Sequence, residues 1–517
     1  MGDGFKLVVR CARGDFRRWQ SHVIETLAAD RTIDLSLEIV SDVQPVPAGL
    51  ETLFAFDRLF LRGAKETAAD LVPVPTHIAA YDRRSGCDLA IDLTGHAQTA
   101  NTHVTLLGFS CQGLPPLPGA LSAILDNDVP VLSAVCQSGE RTTAVAGWAV
   151  GVEDPVNALA GVAMVLGRLA HLVLTAVDHY RRNPETLDGA IYRAPGVDLS
   201  LPSKAPGRLA APQLMARLLT QRINGRLQRL LKHRVDWRVI YRTRVATSLG
   251  RLPMDDRTPF TVLADDGQRF YADPFPVTVD GRSYLFVEDY AYATRKGVIS
   301  VAEIKADGSL GPMRPALEQG CHLSYPNVFA HDGQIWMIPE TASRKTIELW
   351  VADRFPDRWR LHSILVDGVE AADATAACID GIWWMFASTR SRWASSWDTL
   401  DIWQASSLFG PWQKIANSPA VVDVGSARPA GRLIHQGGSW KRPVQDSRLR
   451  YGGGMAVTRI DRLGPQGFTE TVETRFPVRK PLMGLHTWNQ SLTASGCFEA
   501  MDLFADPSAI GSSFSLF

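Results

Sequence analysis

The sequence predicts two domains of different class, an α/β domain with a Rossmann-like parallel sheet followed by an all-β propeller of five blades. Three observations predict it. Short β-branched runs alternate with longer helical stretches from Phe5 to about Arg182. Beyond about residue 236 the helical period gives way to aromatic-rich strands separated by Asp-Gly turns. Within that second half one hairpin recurs: ADPFPVTVDGRSYLFVED (272–289), SYPNVFAHDGQIWMIPET (324–341) and ADATAACIDGIWWMFAST (372–389).

In the first domain, 1–182, the predicted strands are Lys6–Cys11, Leu35–Val40, Leu89–Leu93 and Val129–Val135. DLAIDL and VPVLSAV are continuously apolar, as strands covered on both faces must be. The apolar run from Ala158 to Ala176 is interrupted by Arg168 and His171, so 156–182 reads as a buried closing helix ended by Asn183-Pro184 rather than a membrane span. Gly113–Gly119 reads as a stiff proline loop. No GxGxxG or GxxxxGK[ST] follows the first strand, so a dinucleotide or P-loop cofactor is not expected.

Residues 183–235 form a Pro-rich linker and a basic amphipathic helix carrying Arg217, Arg222, Arg226, Arg229, Lys232 and Arg234. An interdomain strut is the preferred reading, and weak contact with an anionic membrane surface is the rival.

In the propeller domain, 236–517, Asp273, Tyr325 and Asp373 each stand eight residues before the turn glycines Gly281, Gly333 and Gly381. A fourth copy begins at Ser426 with Arg428-Pro429 in the same register, and 484–504 supplies the closing strands. Spacings of 52, 48 and 55 residues suit four-stranded blades. The first residues of successive inner strands converge on one funnel, so Asp273, Tyr325, Asp373 and Arg428 are placed there. Glu288, Asp289 and Glu340, at the ends of the returning strands, are expected to open onto it too.

Carboxylates, a guanidinium and rings in one pocket suit a sugar. Glycoside hydrolysis needs one protonated and one ionised carboxyl. Asp273 is the expected base or nucleophile, Glu340 the expected acid in its apolar WMIPE setting, and Asp373 the group that tunes them. Arg428, Tyr325, Glu288, Asp289, His322, Arg344, Trp336 and Asp446 are the expected substrate contacts, with Gln445, Tyr451 and His486 as weaker rim candidates. No HxH or HExxH array supports a metal, and no cofactor is expected.

Composition agrees with a folded chain that does not bind nucleic acid. Its 517 residues suggest two to four domains, and 54 basic against 54 acidic residues give zero net charge. Seven scattered cysteines without CxxC read as reduced thiols. The N-terminus lacks the apolar stretch of a secretory signal, so a cytoplasmic setting is expected.

The ordered motifs YADPFP, YLFVEDY, KGVISVAEI, HLSYPNVF, MIPET, IELWVADRFPDRW, DATAA, GPWQKIANSP, ARPAGRL and RPVQD resemble the N-terminal domain family of plant glucosamine inositolphosphorylceramide transferases, found also in bacterial proteins. The resemblance covers about 270 to 490 and implies a five-bladed propeller similar to arabinanase-like and fructosidase-like glycosidases. It maps their base aspartate onto Asp273, and puts Arg428 where their general-acid glutamate opens a later blade. Residues 1–182 more weakly resemble a formyltransferase N-terminal fold, degenerate in its triad, with His96 the nearest candidate. The expected function is hydrolysis or transfer of a glycosyl unit, furanosyl units included, on a carbohydrate or glycoconjugate. Glycan or nucleotide-sugar binding without catalysis, and formyl or acyl transfer by the first domain, are the alternatives.

Overall fold

The computed structural model describes residues 4–40, 49–59, 66–82, 86–95, 104–184, 191–195, 216, 220, 236–245, 249–476, 478–480, 482–505, 510–511 and 513–514. They divide into two compact units, 1–228 with 391–395, and the remainder.

The N-terminal unit is built on β1 (Phe5–Ala12), β2 (Ile33–Val40), β3 (Ala79–Ala80), β4 (Leu89–Asp92), β5 (Leu106–Cys111), β6 (Val131–Ser138) and β7 (Arg141–Ala149), in the order β3-β2-β1-β4-β5-β6-β7. Strands β1 to β5 pair in parallel, but β6 runs antiparallel to β5 and to β7. The predicted parallel sheet is therefore mixed: the run expected as Val129–Val135 turns through Gly139 into a hairpin instead of a crossover helix. Helices α1 (Arg18–Ala28), α2 (Leu50–Arg58) and α3 (Pro116–Asp126) pack on α4 (Ala158–Arg182).

Helix α4 is capped by Asn157, whose side chain accepts from the Ala160 N–H at 2.8 Å. It is long and apolar enough to cross a membrane, and most of its apolar side chains between Leu159 and Val177 are buried inside the unit. The proline loop is shorter than expected, because Pro116 begins α3 where its missing N–H costs nothing. Gly119 packs α3 so tightly on β5 that a Cβ would lie 2.0 Å from the Cys111 carbonyl oxygen. The basic segment predicted over 212–234 and His96 lie outside the described residues, apart from helical Ala216 and Thr220.

The second unit is a five-bladed propeller. Two strands, β8 (Asp236–Arg244) and β9 (Phe260–Val262), precede the first blade. Blade one is β10 (Arg269–Val279), β11 (Arg282–Ala291), β12 (Lys296–Ile304) and β13 (Arg314–Leu317). Blade two is β14 (Ser324–His331), β15 (Gln334–Glu340), β16 (Thr346–Arg354) and β17 (Arg358–Asp367). Blade three is β18 (Ala371–Ile379), β19 (Ile382–Thr389), β20 (Thr399–Ala405) and β21 (Gln413–Lys414), with β22 (Val421–Val422) on β20. Blade four is β23 (Ile434–Gln436), β24 (Ser439–Gln445), β25 (Met455–Gly464) and β26 (Gly467–Phe476). Blade five joins β27 (Leu482–Thr493) and β28 (Gly496–Ala505) to β8, β9 and β29 (Ser513–Phe514).

The pairing of β8 with β28, from Asp236 opposite Ala505 to Arg244 opposite Cys497, closes the ring with a strand from ahead of blade one. The Asp-Gly turns Asp280-Gly281, Asp332-Gly333 and Asp380-Gly381 hold both residues at positive φ, the backbone a tight hairpin of right-twisted strands requires. Between blades the core is aromatic: Phe286, Trp350 and Trp359 join blades one and two, and Trp336, Trp383 and Trp403 join blades two and three.

Candidate active site

The repeat places side chains in the channel through one backbone device. In blades one, two and three the inner-strand register breaks between Ala272 and Phe275, Ser324 and Asn327, and Ala372 and Thr375. Each break holds a left-handed non-glycine residue: Asp273 at φ 48°, Tyr325 at 44° and Asp373 at 57°. Such residues cost on the order of 1–3 kcal/mol and persist where the surroundings fix them. Blade five breaks in the same place, between Leu485 and Trp488, and there carries His486 and Thr487.

Asp273 is buried. One oxygen accepts from the Thr487 hydroxyl at 2.7 Å and lies 3.7 Å from His486 Nε2, while the other accepts from the Tyr325 N–H at 3.1 Å. Asp502 supports the same corner: it accepts from the backbone N–H groups of Asp273 and Thr487, both at 2.8 Å, and lies 2.6 Å from His486 Nδ1. Burial pushes the Asp273 carboxyl above its ordinary range against the attraction of His486. Burial opposes protonation of His486, yet Asp502 and then Asp273 outweigh it and raise its pKa. The imidazole stacks on Trp237 at 3.8 Å between ring centres.

Asp373 and Arg428 form the second corner. Arg428 Nε donates to Asp373 at 2.6 Å, Gln445 Nε2 donates to the same oxygen at 2.8 Å, and the guanidinium lies 5.1 Å from the centre of the Tyr451 ring. Glu340 accepts from the Asp373 N–H at 3.2 Å and stands 3.7 Å from Arg428. Burial, and after it the Asp373 charge, pushes Glu340 up to about 8. Glu288 completes the cluster. It lies 3.4 Å from His322 Nε2, and burial followed by the charges of Asp273, Glu340, Asp502 and Asp373 holds it well above the carboxylate range.

The structure thus brings together Asp273, Glu288, Glu340, Asp373, Arg428 and His322 of the residues singled out from the sequence. It removes five others. Asp289 faces away from Glu288, onto Arg269 at 2.9 Å and the Ser300 hydroxyl at 2.9 Å, because alternate strand residues point to opposite faces. Arg344 pairs with Glu348 at 3.1 Å, and Asp446 is taken by Arg448 at 2.6 Å and Arg475 at 2.8 Å. Trp336 packs between blades and donates to the His331 carbonyl. The Tyr325 side chain is fully buried against Phe275, with its hydroxyl bonded to Thr375 at 2.9 Å and accepting from the Gly431 N–H at 2.8 Å.

Sequence reading missed Asp502, Thr487 and Trp237, and ranked His486 low. The signal for Asp502 was a charge inside the apolar run EAMDLF, and none marked Trp237, because β8 is far from blade five in the chain. Asp273, His486 and Asp502 offer ligand atoms within 4.8 Å of one another and could hold a metal ion, the one such group of three among the described residues.

Residues 262–496 match the family model described as glucosamine inositolphosphorylceramide transferase 1, N-terminal. A protein named glucosamine inositolphosphorylceramide transferase 1 from Oryza sativa subsp. japonica is 32% identical over 261 residues, 48% of this chain and 35% of that protein. One of the same name from Arabidopsis thaliana is 31% identical over 224 residues, 43% of this chain and 29% of that protein. The chain spans about a third of the length of these relatives. Both are plant proteins, which runs against the bacterial, cytoplasmic setting expected above. Among solved structures, an exo-1,5-alpha-L-arabinanase from a bovine ruminal metagenomic library aligns over 48% of this chain and 93% of its own, at 17% identity and a TM-score of 0.35. The five-bladed propeller of this chain therefore resembles the N-terminal domain of the glucosamine inositolphosphorylceramide transferase family.

Proposed function

We propose that the propeller is a carbohydrate-active domain that takes a glycosyl unit into its channel and transfers or hydrolyses it, with a carbohydrate or glycolipid as substrate. The observation that carries this reading is one buried cluster in which carboxyls occupy different electrostatic settings. Asp273 faces the imidazole of His486, which favours its ionised form, whereas Glu340 keeps its proton to about pH 8. Asp273 is the base or nucleophile, Glu340 a proton-holding group, and Asp373 with Arg428 fixes the charge between them. The names of the two plant relatives, both transferases of a sugar to a lipid, support the glycolipid alternative.

Binding without turnover is the second reading, favoured by the pair of Arg428 and Asp373 at 2.6 Å, which fills the register where a later-blade acid would open. Turnover of a panel of aryl glycosides, furanosides included, by wild type, Asp273→Asn and Glu340→Gln separates the two. Cleavage or transfer by wild type that Asp273→Asn abolishes at unchanged melting temperature supports catalysis. Glycans that raise the melting temperature without any turnover support binding alone.

A further inference from the structure

We infer that Glu288 is the proton donor to the leaving oxygen, aimed into the channel by His322. The inference rests on the reading of the propeller as a glycosyl-transferring site and gives that site an acid that the register of blade four lacks.

Glu288 and Glu340 occupy the same place in successive blades, opposite Ala272 and Ser324, the residues where each inner strand begins to bulge. Their surroundings differ. Glu340 accepts a backbone N–H from Asp373 and has the Arg428 guanidinium 3.7 Å away, so both neighbours favour its anion and fix its oxygen. Among the described residues neither a backbone N–H nor a guanidinium bonds to Glu288, whose one close polar neighbour is His322.

The state of that histidine follows from its other nitrogen. The Gly297 N–H donates to His322 Nδ1 at 2.9 Å, so Nδ1 carries a lone pair and the proton of the neutral ring is on Nε2, facing Glu288 Oε1 at 3.4 Å. Burial also keeps His322 neutral, although Asp273 pulls the other way. The Nε2–H that faces Oε1 at 3.4 Å favours that oxygen as the carbonyl oxygen of a protonated Glu288, with the acidic proton on Oε2. Gly297 makes room for the arrangement: a Cβ there would meet His322 Cε1 at 2.8 Å and Glu288 Oε1 at 2.9 Å.

In the step itself Glu288 gives its Oε2 proton to the glycosidic oxygen as the bond from that oxygen to the anomeric carbon breaks, and the electron pair stays on the leaving oxygen. The acceptor hydroxyl or water bonds to the anomeric carbon and passes its proton to Asp273. The Glu288 anion left behind is stabilised by His322 Nε2–H. It is opposed by Asp273, Glu340, Asp502 and Asp373 across the channel, which restores its proton from solvent.

The test compares two glycosides of the sugar that the wild type accepts, one with a dinitrophenyl leaving group that needs no acid and one with an alkyl leaving group that does. Glu288→Gln is expected to lose about 10²- to 10⁴-fold on the alkyl glycoside, a general acid's ordinary worth, and less than about tenfold on the dinitrophenyl one. It is also expected to lose the basic limb of the pH profile. His322→Phe, which removes the N–H facing the Glu288 anion, should move that limb of the wild-type profile to higher pH, and His322→Gln, which keeps an N–H donor, should bring it back. Equal losses of Glu288→Gln on both substrates, or the split appearing in Glu340→Gln instead, would overturn the assignment while leaving the enzyme reading intact. A wild type that turns over neither substrate overturns both. Unchanged melting curves exclude misfolding as the cause of any loss.

Discussion

Glu340→Gln should make the propeller insensitive to a pH range in which the wild type weakens. The Glu340 carboxyl is raised from an ordinary 4.5 to about 8 in the fold. A group raised on folding gives its full stability below its unfolded pKa and loses it as pH climbs through the folded value. The window is therefore pH 4.5 to 8, with stability falling as pH rises. At 1.36 kcal/mol for each pKa unit, the loss approaches about 4 kcal/mol at pH 8. A domain of this size shifts by about 2 °C per kcal/mol, so the melting temperature should drop by about 8 °C from this group alone. Glutamine keeps the shape and the acceptor for the Asp373 N–H but does not titrate. Melting curves followed by near-ultraviolet circular dichroism at pH 5, 6, 7 and 8 should show the variant close to wild type at pH 5 and more stable by up to about 8 °C at pH 8. Parallel curves across that range would refute the reasoning, because they would mean Glu340 is already ionised in the fold.

Three further outcomes follow from the same geometry. Arg428→Met strands Asp373 with Gln445 alone and should cost about 3–5 kcal/mol in urea unfolding, of which Arg428→Met/Asp373→Asn regains a part; additive losses would show that the pair is not coupled. Tyr325→Phe leaves the buried Gly431 N–H without an acceptor and should cost about 1–3 kcal/mol while turnover is kept, and a loss of turnover without loss of stability would return Tyr325 to the substrate. Asp273→Gly should be about 1 kcal/mol more stable than Asp273→Ala, because glycine accepts φ 48° without strain; the reverse order would show that the bulge relaxes.

What the sequence made legible was periodic. The spacing of Asp273, Tyr325 and Asp373 from their turn glycines put the three in one register, since a repeated hairpin repeats its backbone geometry, whereas the bulge that each occupies is seen only in the fold. The ring closure was hidden because β8 and β28 are more than 250 residues apart and only the fold pairs them. Side-chain direction was harder than position. Asp289 was misplaced by a single step of strand alternation, and Tyr325 shares the register of the two aspartates but sends a large ring into the core where a short carboxylate stays in the channel. Arg344 and Asp446 were polar residues in turns whose partners, Glu348, Arg448 and Arg475, sequence alone did not associate with them.

The distribution of charge sets which carboxyls of the channel hold protons. Five carboxyls, Asp273, Asp502, Asp373, Glu340 and Glu288, surround two cationic groups, His486 and Arg428. His486 is held between Asp273 and Asp502, and Arg428 pairs closely with Asp373 and stands 3.7 Å from Glu340, so Glu288 is the carboxyl without a guanidinium beside it and Glu340 shares one. A buried carboxyl without a partner keeps its proton rather than its charge. Arg428 in the opening register of blade four pairs with Asp373 and thereby leaves the two equivalent glutamates of blades one and two as the groups whose protons burial holds on. Of these, Glu340 is tethered by the same arginine's partner through the Asp373 N–H, and only Glu288 keeps an oxygen free to give its proton away.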